Sequence, residues 1–179
     1  MSKKAFFDKN IAVTSDIYDM HIMDHTNWFG NVPPFTNLEF NICAICNRAC
    51  FFCPKANKDL FPNKNEFMDS AFYTKILKDL ASVNFKGRIS FCGLSEPFIH
   101  KDLKKLVEAT KEYCPYTYLD ILTNGDFLTV ENVGGLFEAG LDNIKVSMYD
   151  GPQQIPCLLK IKQTCGLSDS QFVIRERYL

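Results

Sequence analysis

Four of the eight cysteines, Cys43, Cys46, Cys50 and Cys53, fall within eleven residues of this 179-residue chain, in Asn41-Ile42-Cys43-Ala44-Ile45-Cys46-Asn47-Arg48-Ala49-Cys50-Phe51-Phe52-Cys53-Pro54. Thiolates are the ligands of iron-sulfur clusters, and a tight loop can direct three sulfurs at three irons of a cubane while the fourth iron stays open to bind a small molecule. A structural zinc site asks for four ligands in tetrahedral array, commonly two pairs a dozen or more residues apart, whereas three residues separate Cys46 from Cys50. Bacterial ferredoxins also carry a four-cysteine run ending in Cys-Pro. Their gaps differ from the two, three and two found here, and an electron-transfer cluster has no need of the long chain that follows. The isolated Cys92, Cys114, Cys157 and Cys165 are expected to be small core residues.

Such a loop has to be held at the end of a rigid element. Short apolar runs alternate with helical patterns every thirty residues or so, a βα rhythm. Strands are expected at 37–41, 88–92, 118–123, 143–148 and 172–177. Phe72, Ile76, Leu80 and Val83 recur at helical spacing behind Asp69, and Leu103, Leu106, Val107 and Thr110 behind Asp102. A third helix starts at a Thr129 cap, runs through Val133, Leu136 and Phe137 and stops at Gly140, with Gly134-Gly135 inside it. A fourth lies around 158–162, where Pro156 breaks the pattern if it falls in the helix interior. These elements predict an α/β fold, a partial, open (β/α) TIM-type barrel of about five parallel strands, with the cysteine loop at the C-terminal strand ends.

Composition narrows the partners. Apolar residues make up 46% of the chain, enough for a buried core, and the formal charge is −1 with no basic run, so nucleic acid is not suggested. No stretch reaches the roughly 18 apolar residues that span a bilayer, and Met1-Ser2-Lys3-Lys4 lacks the apolar run of a signal peptide, so a soluble cytoplasmic protein is expected. Clustered thiols in a reducing cytosol point to a metal rather than to disulfides.

Cys46, Cys50, Phe52 and Cys53 match C-x3-C-x-Φ-C, and the chain resembles the radical S-adenosylmethionine superfamily. The resemblance implies that the three cysteines ligate a [4Fe-4S] cluster and that Phe52 packs close to the adenine of S-adenosylmethionine; Cys43 lies outside the triplet and reads as a strand-end residue. Later strand ends carry similar matches in order. Cys92-Gly93-Leu94-Ser95-Glu96-Pro97 is similar to the family's G-x-G-E-P element, with Ser95 where glycine is usual, and implies that Glu96 receives the amino group of S-adenosylmethionine. Thr123-Asn124-Gly125 implies that Asn124 borders the same pocket. Ser147-Met148-Tyr149-Asp150-Gly151 resembles Ser-x-Asp-Gly with one residue inserted, placing Ser147 against the ribose or the methionyl carboxylate.

Other polar residues read more weakly. Arg175 and Arg177, with Glu176 between them, stand where a guanidinium can hold a carboxylate, or are surface residues. His21 and His25 read as a surface pair, and His100 as a residue that orders the Glu-Pro loop.

Residues 1–34 are expected to form an N-terminal extension and residues 35–179 a radical S-adenosylmethionine core domain lacking its last βα unit. The resemblance implies an oxygen-sensitive enzyme that cleaves S-adenosylmethionine to a 5'-deoxyadenosyl radical and takes hydrogen from a peptide, protein or sugar, with a flavodoxin or ferredoxin as reductant. A non-catalytic [4Fe-4S] module, or an inactive fragment of a larger radical enzyme, stays open beside it. The inner face of the last strand, at Phe172 or Val173, is expected to be an apolar edge, covered by a second copy, by a partner or by the aromatic N-terminal stretch containing Phe6, Phe7, Tyr18, Trp28 and Phe29.

Overall fold

Strands whose side chains alternate between apolar and polar can bury one face and leave the other free to line a site. The computed structural model describes residues 35–178. Five strands, β1 (Asn37–Phe40), β2 (Arg88–Phe91), β3 (Tyr118–Thr123), β4 (Asn143–Met148) and β5 (Phe172–Glu176), pair in sequential order and all in parallel. Helices α1 (Ser70–Ser82), α2 (Leu103–Tyr113), α3 (Val130–Glu138) and α4 (Ile155–Thr164) make the return crossings. The chain is thus α/β, an open arc of a TIM-type barrel with all five C-terminal strand ends on one rim. The N-terminal stretch, with the His21–His25 pair and the aromatics expected to cover the edge, lies outside the described residues.

The register sorts the two faces. Phe40, Phe91, Ile121, Ile144 and Phe172 are successive partners across the five strands and join the buried cluster beneath the helices. The opposite, inner face carries Glu39, Arg88, Ser90, Asp120, Lys145, Ser147 and Arg175. Parallel strands covered on both sides are usually apolar on both. Here the inner face is polar and holds a buried ion network: Arg88 donates to both oxygens of fully buried Asp120, Nε at 3.0 Å and Nη2 at 2.5 Å, and Lys145 Nζ bonds the same carboxylate.

The helices follow local signals. Asp69 accepts from Phe72 N at 2.9 Å and starts α1, and Thr129 forms a capping box with Asn132 at the start of α3. Pro156 falls in the first turn of α4, where its missing N–H costs nothing, so the helix is intact. The apolar stripe of α2 is as expected, with Leu103, Leu106, Val107 and Thr110 buried.

Three expectations are corrected. In α1 the buried residues are Tyr73, Leu77 and Leu80, while Phe72 is 57% exposed. Two overlapping stripes compete on this helix, and Tyr73 settles the choice by packing edge-on to Phe40 and Phe91 and bonding Thr110 Oγ1 at 2.7 Å. Because the Thr110 hydroxyl already donates to Leu106 O, Tyr73 is the donor, and Tyr73→Phe is expected to cost about 1 kcal/mol in denaturant unfolding.

Cys92 and Cys114 are core residues, but Cys157 is exposed and Cys165 half-buried, because α4 turns Leu158 and Ile161 inward instead. The third correction concerns the last strand. Phe172 points into the helix-covered core at 1% exposure, and the inner face of β5 presents Val173 and Arg175, so that face is mixed, apolar at one position and charged at the next, where a wholly apolar edge was expected. Among the described residues, no helix is long and apolar enough to cross a membrane.

Candidate metal centre

The segment after β1 turns back on itself before α1, and its backbone is tied at close intervals. Cys43 bridges to Phe67, Ala44 N donates to Glu66 O (3.0 Å), and Cys53 N donates to Cys50 O (2.8 Å), closing a tight turn that runs into a 3-10 turn at Pro54–Ala56. Lys55 is buried and spends all three ammonium protons within the loop, on Ala44 O (2.8 Å), Pro62 O (3.2 Å) and Asn63 Oδ1 (2.9 Å). Asn63 in turn grips the backbone of Cys46, accepting from its N–H at 3.1 Å and donating to its carbonyl at 2.9 Å. The loop therefore has a shape dictated by its own polar groups.

Cys46, Cys50 and Cys53 line one cleft of about 150 Å³ together with Phe52, Glu96, Asn124 and Ser147, so the rim of the arc brings every expected site residue to one place. Cys43 does not line it. That residue is 3% exposed, with Sγ 3.5 Å from the carbonyls of Ile45 and Glu96.

Glu96 anchors the cleft. Its N–H donates to Ile45 O (2.9 Å) and so ties the β2 end to the cysteine loop. Its carboxylate, 1% exposed, accepts from Phe98 N (3.1 Å) and Thr123 Oγ1 (2.7 Å) at Oε1 and from Asn124 N (2.8 Å) at Oε2. Burial pushes its pKa up, and these three bonds pull it down. A carboxylate offers about four acceptor positions, so one remains for a ligand. Glu96 is thus a fold residue as well as a candidate ligand group, which revises its reading as a cofactor residue alone.

Ser95 needs no glycine-like backbone. The positive φ in this turn falls at Gly93 (+111°), and the Ser95 hydroxyl donates to Asn41 Oδ1 at 2.7 Å. His100 orders the same segment as expected: Nδ1 accepts from Asp102 N (3.1 Å), which leaves Nε2 to donate to Met68 O (3.2 Å).

A second set of contacts was not expected. Arg48, between the first two cysteines of the triplet, makes bidentate pairs with two carboxylates. Nε and Nη2 reach Asp126 at 2.7 and 2.5 Å, and Nη1 and Nη2 reach Asp150 at 2.7 and 2.5 Å. Asn47 joins it on Asp126 and accepts from Asn124 Nδ2 at 2.8 Å. The clamp fastens the cysteine loop to the ends of β3 and β4. Tyr149, beneath the guanidinium at 5.7 Å, faces Phe52 at 5.4 Å to form an aromatic wall of the cleft.

The donor set fits a cluster. None of the three cysteines is in a disulfide, and burial raises the Cys46 and Cys50 thiols, with Arg48 drawing Cys50 back down. Among the described residues, no three His, Cys, Asp or Glu side chains converge closely enough to enclose one ion. A cubane gives each sulfur its own iron and does not ask for that convergence, whereas tetrahedral zinc does.

Comparison with known proteins agrees with this geometry. A family model described as the Radical SAM superfamily matches residues 40–166. The chain is 37% identical over 117 residues to the S-adenosyl-L-methionine-dependent 2-deoxy-scyllo-inosamine dehydrogenase of Niallia circulans, covering 65% of this chain and 46% of that protein. It is 26% identical over 112 residues to a probable GTP 3',8-cyclase of Methanopyrus kandleri, covering 63% and 34%. A crystal structure of BtrN in complex with AdoMet and 2-DOIA superposes with a TM-score of 0.69 at 30% identity, covering 79% of this chain and 56% of that one. The chain thus spans about half or less of the length of the curated relatives it matches. With a family match over most of its length and the three-cysteine loop on the rim of an open βα arc, this chain belongs to the radical S-adenosylmethionine superfamily, whose members use a [4Fe-4S] cluster and S-adenosylmethionine.

Proposed function

We propose that this chain is the catalytic core of a radical S-adenosylmethionine enzyme, with Cys46, Cys50 and Cys53 as cluster ligands and Phe52, Glu96, Asn124 and Ser147 as the S-adenosylmethionine site. The observation that carries the reading is the convergence of all seven on one cleft from four separate segments of the chain. When bound, the cluster with S-adenosylmethionine supplies a 5'-deoxyadenosyl radical that abstracts hydrogen from a substrate. The chain's own part is to hold and orient. Glu96 would offer its remaining acceptor position to the ammonium of the cofactor, Ser147 would offer a hydroxyl to its ribose or carboxylate, and the Phe52–Tyr149 wall would take the adenine. Electrons are expected from a flavodoxin or ferredoxin. Residues 35–179 form the core domain in this reading, and residues 1–34 an extension to it.

Anaerobic reconstitution followed by reduction and an assay for 5'-deoxyadenosine tests the proposal: product from the parent chain is expected, and cluster without product would leave an electron-transfer module instead. Two variants separate the ligand role of Glu96 from its role in the fold. Thr123→Val removes one bond to the carboxylate and is expected to cost about 1 kcal/mol of stability while leaving S-adenosylmethionine affinity within about twofold. Glu96→Gln is expected to weaken that affinity at least about tenfold. Equal losses of affinity in both would assign Glu96 to the fold alone.

A further inference from the structure

Two cations stand beside the cleft with no ion pair among the described residues. Arg175 lies opposite Ser147 in the β4–β5 ladder, and Arg177 is fixed beside Tyr149 by its N–H to Met148 O at 2.9 Å. Ser147 and Tyr149 both line the cleft. Side chains two residues apart on a strand share a face, so both guanidiniums stand on the inner face, in line with Lys145. Neither guanidinium makes a hydrogen bond or ion pair with a described residue.

The acids of the rim are already engaged: Asp126 and Asp150 by Arg48, Glu96 by Thr123 and Asn124, and Asp120 below them by Arg88 and Lys145. The inner face and its rim therefore carry four cations, Arg88, Lys145, Arg175 and Arg177, against three carboxylates, Glu39, Asp120 and Glu96, whose own partners are neutral, an excess of one positive charge. Holding like charges side by side on one strand is unfavourable unless an anion comes between them. S-adenosylmethionine, with an ammonium and a sulfonium against one carboxylate, adds a positive charge of its own and does not offset the excess.

We propose that Arg175 and Arg177 seat an oxyanion of the substrate, a carboxylate or a phosphate, at the β5 side of the cleft. The inference rests on reading the cleft as an S-adenosylmethionine site. Guanidinium forks suit this task because each presents two parallel N–H groups to two oxygens of one planar or tetrahedral anion. Burial of Arg175, with Arg177 and Arg88 nearby, disfavours its charge more than Asp120 favours it, so a docked anion brings relief.

The test is calorimetric titration of the reconstituted chain with inorganic phosphate, and in parallel with succinate, alone and with saturating S-adenosylmethionine. Binding is expected under both conditions, with affinities that agree within about threefold, and the tighter of the two probes names the substrate's anion. Arg175→Gln and Arg177→Gln are each expected to weaken the probe at least about tenfold, with Arg175→Lys recovering part of the loss. Lys75→Gln, on the exposed face of α1, is expected to change nothing. S-adenosylmethionine affinity, read from the electron paramagnetic resonance spectrum of the reduced cluster, is expected to stay within about threefold in Arg175→Gln. Displacement of the probe by S-adenosylmethionine, with weakened cofactor binding in Arg175→Gln, would give both arginines to the cofactor and overturn the proposal. Equal probe binding by the parent and the Gln variants overturns it too. A parent that takes up the probe but no S-adenosylmethionine sinks the reading of the cleft while leaving the arginine seat in place.

Discussion

Cys46→Ala, Cys50→Ala and Cys53→Ala are each expected to come out of anaerobic reconstitution with almost no iron, while Cys43→Ala keeps the parent's content of about four irons per chain. The three lining thiols stand on a loop whose backbone is fixed independently of any metal, so no neighbouring cysteine is free to swing in as a substitute. Cys43 is held at the base of that loop and Cys92 is buried on the inner face, and neither lines the cleft. Iron counting and the visible absorption of the cluster decide the matter. Iron retained by any one of the triplet variants but lost in Cys43→Ala would reassign the ligands.

Asp120→Ala is expected to be the most destabilising substitution on the inner face, at about 3–5 kcal/mol, because it strands two cations that share one fully buried carboxylate. Thermal unfolding should fall by roughly 10 °C for a chain of this size. The double variant Asp120→Asn/Lys145→Met removes one charge of each sign and is expected to regain much of the loss, since Arg88 keeps an acceptor on the amide. Losses that simply add would show that the three groups do not act as a unit.

The strands were legible because each couples apolar-polar alternation with a turn signal, and the observed bounds agree with the expected ones to within a residue. The ordering of Cys46, Glu96, Asn124 and Ser147 was legible for a related reason: sequential parallel strands deliver successive strand ends to one rim. What escaped depends on contacts between distant loops. Arg48 is 78 residues from Asp126 and 102 from Asp150, and nothing in a local pattern links them, although a charged residue between two candidate ligands was itself a signal. Asp150 was visible as part of a motif, but its partner was not. Phe72 and Tyr73 were equally plausible leaders of the α1 stripe, and only the rings they meet on β1 and β2 separate them.

Lys55 carries a consequence for the life of the cofactor. An internal ammonium, satisfied by two carbonyls and an Asn side chain, does for the cysteine loop what a structural ion does elsewhere: it holds the backbone in place from within. The entropy of ordering the loop is then spent during folding and is not charged again when iron arrives. A chain stripped of its cluster by oxygen is therefore expected to keep this loop in shape and to regain the cluster on resupply of iron and sulfide, without a round of refolding.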